Sequence, residues 1–194
     1  TDFEDLIAGY IEHTIGISDH FLSDGLCEHL ASNLLLLHED NELKAAGVGN
    51  DHLLQHSELI RKDKIYWLDK KHNDPYENLF FEKMDAFVIY LNATCYANIK
   101  SYEFHYSLYE AGDFYVKHLD QFKDNASRQF SMISYLNPSW KTADGGELQV
   151  YPIEDHPSIA PTQGKTVFFK SSALEHEVLV TQERRMSIAG WLKR

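Results

Sequence analysis

With 194 residues, 43% of them hydrophobic, the chain is long enough for one domain with an ample core. A formal net charge of −12 argues against nucleic-acid phosphate as the main partner and against anionic membrane surfaces. The two cysteines, Cys27 and Cys95, have no metal spacing, the N-terminal stretch "TDFEDLIAGY" is acidic and amphipathic, and the longest apolar run is residues 34–37. These features predict a reducing, cytoplasmic setting with no disulfide framework, signal peptide or membrane span, and nothing in the sequence demands an oligomer.

The first half reads mainly as helix. Phe3, Leu6, Ile7, Tyr10 and Ile11 recur on one face at the 3.6-residue period. Ser23 is placed to cap a second helix carrying Leu26, Leu30, Leu34 and Leu37. Residues 40–58 are polar with glycines and read as a loop with room for a short strand. "IRKDKIYWL" (60–68) reads as a strand and "DKKHNDP" (69–75) as a turn. Pro75 then opens a third helix, with Leu79, Phe80, Met84, Phe87, Val88 and Leu91 expected to face inward.

From about residue 100 the period changes to two. Eight short strands are predicted, at 101–109, 113–118, 129–136, 147–151, 157–160, 165–169, 174–180 and 185–193, punctuated by "EAGD", "NPSW", "ADGGE" and "PTQGK". The expected fold is α+β, mainly β: a jelly roll (double-stranded β-helix, cupin-like) of about eight strands, with the N-terminal helices packed on one sheet.

Three His-x-Asp triplets occur: His38 with Asp40, His72 with Asp74, and His118 with Asp120. Chance supplies about one in such a chain, so a triplet alone is weak. His38 falls at the polar end of the second helix and His72 in a charged turn, and both read as solvated surface. His118 ends a strand, and alternation puts it on the same face as Asp120. A third ligand is available in "ALEHEVLV" as His176. Two imidazoles and a carboxylate make the facial set that suits non-haem Fe(II). Nine residues on stands Arg185; if 174–180 and 185–193 form a hairpin, it starts the return strand beside the metal. Its planar fork suits a carboxylate. Small Ser187 and Ala189 in the same alternation favour Arg185 inward and Arg184 outward. His105 and His156 are set aside as ligands, Glu175 and Glu177 as solvated flanks of His176, and Gly145-Gly146 as a turn with positive φ.

On these residues the sequence resembles the Fe(II)/2-oxoglutarate-dependent prolyl hydroxylases. It resembles above all the hypoxia-inducible-factor type and its bacterial relatives, through "YEAGDFYVKHLD", "ISYLNPSW", "GGELQVYP", "VFFKSSALEHEV", "RRMSIAGW" and "RKDKIYWL". The likeness covers roughly residues 59–194, and the first 58 match in helical character alone. It implies one Fe(II)/2-oxoglutarate dioxygenase domain over 1–194, with 1–99 as mainly helical support (a strand and loop at 59–77) and 100–194 as the jelly-roll core. It implies Fe(II), 2-oxoglutarate and O2 as cofactor and cosubstrates, with ascorbate as an accessory. His118, Asp120 and His176 would bind iron, Arg185 and Tyr135 would hold the far carboxylate of 2-oxoglutarate, and Tyr109 would line its pocket. Arg128 would sit near the substrate, and Arg61 and Asp63 at the start of a mobile loop that closes over it; an exposed hairpin is the other reading of that segment. Trp191 reads as packing. The implied partner is a protein or peptide with a target proline, elongation factor Tu being a candidate. Two alternatives stay open: the same chemistry on a free amino acid or another side chain, and a metal-binding cupin with no oxygenase activity.

Overall fold

The computed structural model describes residues 1–47, 60–121, 126–151, 154 and 158–194. Each of its three long helices starts on a side-chain cap. Thr1 and Glu4 form a capping box on α1 (Asp2–His13). Ser23 accepts from Leu26 N at the start of α2 (Asp24–Glu39). Asp74 accepts from Tyr76 N and Glu77 N ahead of α3 (Pro75–Cys95), where Pro75 takes a first-turn position that needs no N–H donor.

Among the described residues eleven strands form two antiparallel sheets. In chain order they are β1 (Ile15–Ser18), β2 (Lys44–Ala45), β3 (Lys64–Trp67), β4 (Ser101–Tyr109), β5 (Tyr115–His118), β6 (Arg128–Tyr135), β7 (Leu148–Tyr151), β8 (Ser158–Ile159), β9 (Thr166–Lys170), β10 (Glu175–Val178) and β11 (Arg185–Lys193). The larger sheet runs β1-β9-β6-β11-β4-β3-β2 and the smaller β5-β10-β7-β8. All eight strands predicted beyond residue 100 are present, the fifth as Ser158–Ile159, since residue 157 lies outside the described residues.

The larger sheet separates two apolar cores. Phe104, Tyr106, Leu108, Ile188 and Leu192 point to one side, where they meet Phe80, Met84 and Phe87 of α3 and Leu30 and Leu34 of α2. The alternate residues of β4 and β11 point between the sheets, where Tyr109, Tyr115, Tyr135, Leu148, Val150, Val167 and Phe169 are buried. Strand alternation thus divides each sequence into a support face and a site face. His105, Ser107 and Tyr109 of β4, with Arg185, Ser187, Ala189 and Trp191 of β11, line the space between the sheets.

Four expectations change. Ile11 and Leu79 face out, at 68% and 47% exposure. At 100° per residue Ile11 falls about 40° beyond Ile7, and Leu79 about 80° from Phe87, outside the buried arc of each helix. Strands 174–180 and 185–193 are not a hairpin: β10 pairs with β5 and β7, while β11 pairs with β4 and β6. Residues 179–184 carry the chain from one sheet to the other, as a jelly roll requires. The segment from 61 to 77 is neither a loop nor an exposed hairpin, because β3 lies between β2 and β4 in the sheet. A 3-10 turn at Lys70–His72 then leads to α3. Finally, His38 is half-buried rather than freely solvated, whereas His72 is exposed as expected. His38 Nε2 lies 3.3 Å from Glu110 and His72 Nδ1 lies 3.6 Å from Glu77.

Candidate metal centre and carboxylate pocket

The register of the smaller sheet sets His118 of β5 directly opposite His176 of β10. Two residues past His118 the chain brings in Asp120. Its Oδ1 is 3.3 Å from the Nε2 of both histidines, and the three ligand atoms lie within 4.8 Å of one another. Each imidazole is anchored in the same way. His118 Nδ1 meets Val116 O at 2.7 Å and His176 Nδ1 meets Leu174 O at 3.0 Å, in both cases the carbonyl two residues back. A carbonyl only accepts, so each Nδ1 carries a proton, which leaves Nε2 as the atom that faces Asp120 and would meet a metal. Burial alone would raise the Asp120 pKa, but the two histidines outweigh it and hold the carboxyl well below its ordinary range. Burial lowers His118, whereas at His176 the Asp120 carboxylate overcomes burial and raises the pKa. Three donor atoms thus converge in a largely buried pocket, a donor set suited to a cation. Two nitrogens and one oxygen on one side of a point fit Fe(II) with positions left open.

A second feature lies deeper. Arg185 is 1% exposed. Its Nε donates to Gly146 O at 2.7 Å, while its Nη2 is buried with no hydrogen-bond partner, as is the hydroxyl of Tyr135. The guanidinium carbon is 5.0 Å from the Tyr109 ring centroid and 5.2 Å from that of Tyr135. Among the described residues no carboxylate pairs with Arg185. A buried cation and a buried phenol, both short of an acceptor, make a seat for a carboxylate group. Gly146 makes the seat possible: its φ is +66°, and a Cβ there would stand 3.0 Å from both Arg185 Cδ and Thr181 Oγ1.

The remaining predicted residues line the same cavity or stand behind its walls. His118, Asp120, His176, Arg185, Tyr109, Arg61 and Arg128 line one cavity of about 350 Å³. Tyr135 stands behind Arg185, and Asp63 behind Arg61. Arg61 grips Asp63 with two hydrogen bonds of 2.7 Å, and Ser107 Oγ donates to the same carboxylate at 3.1 Å. Burial would raise Asp63, but Arg61 outweighs it and keeps the carboxyl ionised. The guanidinium of Arg61 also lies 4.3 Å above Tyr115, whose ring meets His118 edge-on at 3.6 Å. Arg128 donates to Glu103 at 3.2 and 3.1 Å and covers the Trp191 ring at 3.6 Å. The reading of the residues missed Tyr115, Ser107 and Trp67 on these walls. Their alternation with Phe114, Tyr106 and Tyr66 was a usable signal. His105, set aside as a ligand, is buried in the cavity wall and is not part of the His-Asp-His group. His156 lies outside the described residues.

Known proteins share this arrangement to different extents. Residues 104–193 match the model of the 2OG-Fe(II) oxygenase superfamily, a span that holds all three ligand positions and Arg185. The cofactor and cosubstrates of that oxygenase family are Fe(II), 2-oxoglutarate and O2, which the His-Asp-His group and the carboxylate seat fit. Among curated relatives, prolyl 3-hydroxylase OGFOD1 of Mus musculus is 34% identical over 94 residues, 43% of this chain and 17% of the relative. Its counterpart in Xenopus laevis is 35% identical over 75 residues, 33% of this chain and 15% of the relative. The chain thus spans less than a fifth of the length of the curated relatives it matches. Solved structures cover it more fully. A Pseudomonas putida prolyl-4-hydroxylase has a TM-score of 0.87 and 29% identity, covering 99% of this chain and 98% of that one. A Trichoplax adhaerens prolyl hydroxylase, in complex with a hypoxia-inducible-factor peptide, has a TM-score of 0.86 at 21% identity, covering 98% and 88%. The second likeness is one of fold.

Proposed function

We propose that this chain is an Fe(II)- and 2-oxoglutarate-dependent dioxygenase that hydroxylates a prolyl residue in a protein or peptide. The observation that carries the reading is the pairing of two sites in one cavity: a buried His118-Asp120-His176 group, and beside it Arg185 and Tyr135 with unpartnered buried polar atoms. A metal-binding cupin with no 2-oxoglutarate has no use for the second site. When bound, iron with 2-oxoglutarate and O2 supplies an oxidant able to hydroxylate an unactivated C–H bond, with release of succinate and CO2.

The chain's own residues would do the rest. His118, Asp120 and His176 would hold the metal, their orientation fixed by the Val116 and Leu174 carbonyls. Arg185 would bind the far carboxylate of 2-oxoglutarate through Nη2, with Tyr135 donating its hydroxyl proton to the same group and Tyr109 closing the wall. The apolar ring of Tyr115 would exclude water from the His118 side. Arg61 and Arg128 line the cavity, where they would meet the substrate, while Asp63, buried behind Arg61, would hold that guanidinium in place.

Proline as the target is supported by the Pseudomonas putida structure, which matches almost the whole chain. The same likeness favours the 4-position, because the prolyl 3-hydroxylase relatives match less than half of this chain. Elongation factor Tu as the partner, ascorbate as an accessory and a cytoplasmic location rest on the sequence resemblance. An anaerobic titration of 2-oxoglutarate into Fe(II)-loaded protein tests the cofactor reading. A saturating visible charge-transfer band is expected, weaker in Arg185→Ala and lost in His176→Ala. Its absence from folded, iron-loaded wild type would sink the reading.

A further inference from the structure

His105 lies in a row of the larger sheet with Trp67 on one side and Ala189 on the other. Along β4 and β11 this row is four residues, about 13 Å, outward from the paired Tyr109 and Arg185. The imidazole is 3% exposed and lines the cavity. Trp67 meets it edge-on at 5.0 Å and Trp191 is tilted against it at 5.7 Å. Ala189 is small and leaves space beside the ring.

The hydrogen bonds assign its tautomer. Nδ1 is 3.1 Å from Tyr106 O and 3.2 Å from Ser107 Oγ. The carbonyl can only accept. Ser107 has one hydroxyl proton and gives it to Asp63, which Arg61 keeps ionised, so toward His105 the oxygen also accepts. Nδ1 must therefore be the protonated nitrogen and Nε2 the bare one. Among the described residues Nε2 has no hydrogen-bond partner. Burial, helped by Arg61 and Arg128 and opposed by Asp63, takes the pKa down to about 4, so the ring is neutral at ordinary pH.

We propose that His105 is a substrate-positioning residue, whose Nε2 accepts a hydrogen bond from the backbone N–H of a residue flanking the target proline. The proposal rests on the prolyl hydroxylase reading. A proline has no N–H of its own, so the donor must come from a neighbour in the peptide. The wall around Nε2 offers an acceptor among aromatic and small apolar surfaces, which favours an extended peptide passing over Trp67 and Trp191. The chain Asp63–Ser107–His105 fixes the acceptor's direction and ties the peptide-binding wall to Arg61.

Two variants separate an outward role from an internal one. In His105→Asn the amide nitrogen can replace Nδ1 and keep the bonds to Tyr106 and Ser107, but the outward acceptor is gone. In His105→Gln the amide oxygen can replace Nε2, but the inward bonds are lost. The assay uses synthetic proline-containing peptides, read by a one-oxygen mass gain, with partner peptides N-methylated at each flanking residue. His105→Asn should raise the peptide KM about tenfold with kcat little changed, the worth of one hydrogen bond. His105→Gln should stay near wild type, and N-methylation of one flanking residue should cost the wild type about as much while costing His105→Asn nothing further. A normal KM in His105→Asn with a raised one in His105→Gln would show an internal anchor only and overturn the proposal. Imidazole 15N spectra of the Zn(II)-loaded protein read the tautomer without turnover. A protonated Nε2 would overturn the proposal too, whereas failure of the prolyl reading would appear as unmodified peptides in the wild type with the expected tautomer intact.

Discussion

Arg185 carries a full charge in the interior on one hydrogen bond, to Gly146 O, with Nη2 unsatisfied. Such a group is costly until its counter-ion arrives. Replacing it should therefore separate stability from binding. Arg185→Met keeps most of the volume and removes the buried charge, so the ligand-free protein should gain about 1–2 kcal/mol. The same variant should lose the rise in melting temperature that 2-oxoglutarate gives the metal-loaded wild type. Differential scanning fluorimetry with and without 2-oxoglutarate measures both. A variant that is less stable without ligand would mean that Arg185 is structural. Gly146→Ala acts on the same seat from outside, forcing a side chain into positive φ against Arg185 Cδ. It should cost about 1–2 kcal/mol in urea melts and weaken 2-oxoglutarate binding. The ligand residues were legible as sequence because His118 and Asp120 sit one residue apart on one face. Gly146 was legible only as a turn, since what its missing Cβ makes room for comes from a residue 39 positions away.

At the scale of elements, what was readable is what repeats locally. The capped helices and the alternating strands beyond residue 100 announce themselves within a few residues. The β1 strand does not, being four residues, "IGIS", with a glycine inside. Its existence depends on contacts outside the strand itself. On its edge it pairs with β9, Ile15 opposite Phe169 and Ser18 opposite Thr166. On its face it takes α1 so closely that a Cβ at Gly16 would stand 1.8 Å from Leu6 O. Gly16→Ala should therefore push α1 off the sheet and cost about 3 kcal/mol or more, read by urea denaturation, with no change in the His118-Asp120-His176 group. The false hairpin has a similar origin. Two strands separated by a short connection usually pair, and alternation alone does not say that residues 179–184 cross between sheets. Arg185 was rightly placed inward for the reason that held: its alternation with Ser187 and Ala189, all three on the site face.

The larger sheet holds a titratable group buried on each of its faces, and the two should tilt the stability of the whole molecule in opposite directions. On the site side is His105. Burial and Arg61 lower its pKa from 6.5 to about 4. Between those values the unfolded chain binds a proton that the folded one refuses, so this contribution is present above pH 6.5 and is lost as pH falls toward 4. The difference is worth about 3 kcal/mol. On the helix side is Glu77, 5% exposed, beside His72 and with Oε1 accepting no hydrogen bond. Burial and then Asp74 raise its pKa above 4.5. An acid raised by folding contributes stability that is complete below pH 4.5 and is lost as pH climbs through the folded pKa. In the wild type the two slopes oppose each other across the acidic range. Removing one should expose the other. Relative to wild type, His105→Asn should lose less stability on going from pH 7 to pH 4.5, by about 2–3 kcal/mol. Glu77→Gln should gain stability at pH 7 and show a steeper loss on acidification. Urea midpoints at pH 7, 5.5 and 4.5 for the wild type and both variants make the comparison. Parallel curves would mean that neither group is buried in its neutral form. Crossing curves would locate the acid sensitivity of the fold on either side of one sheet, apart from the His118-Asp120-His176 group.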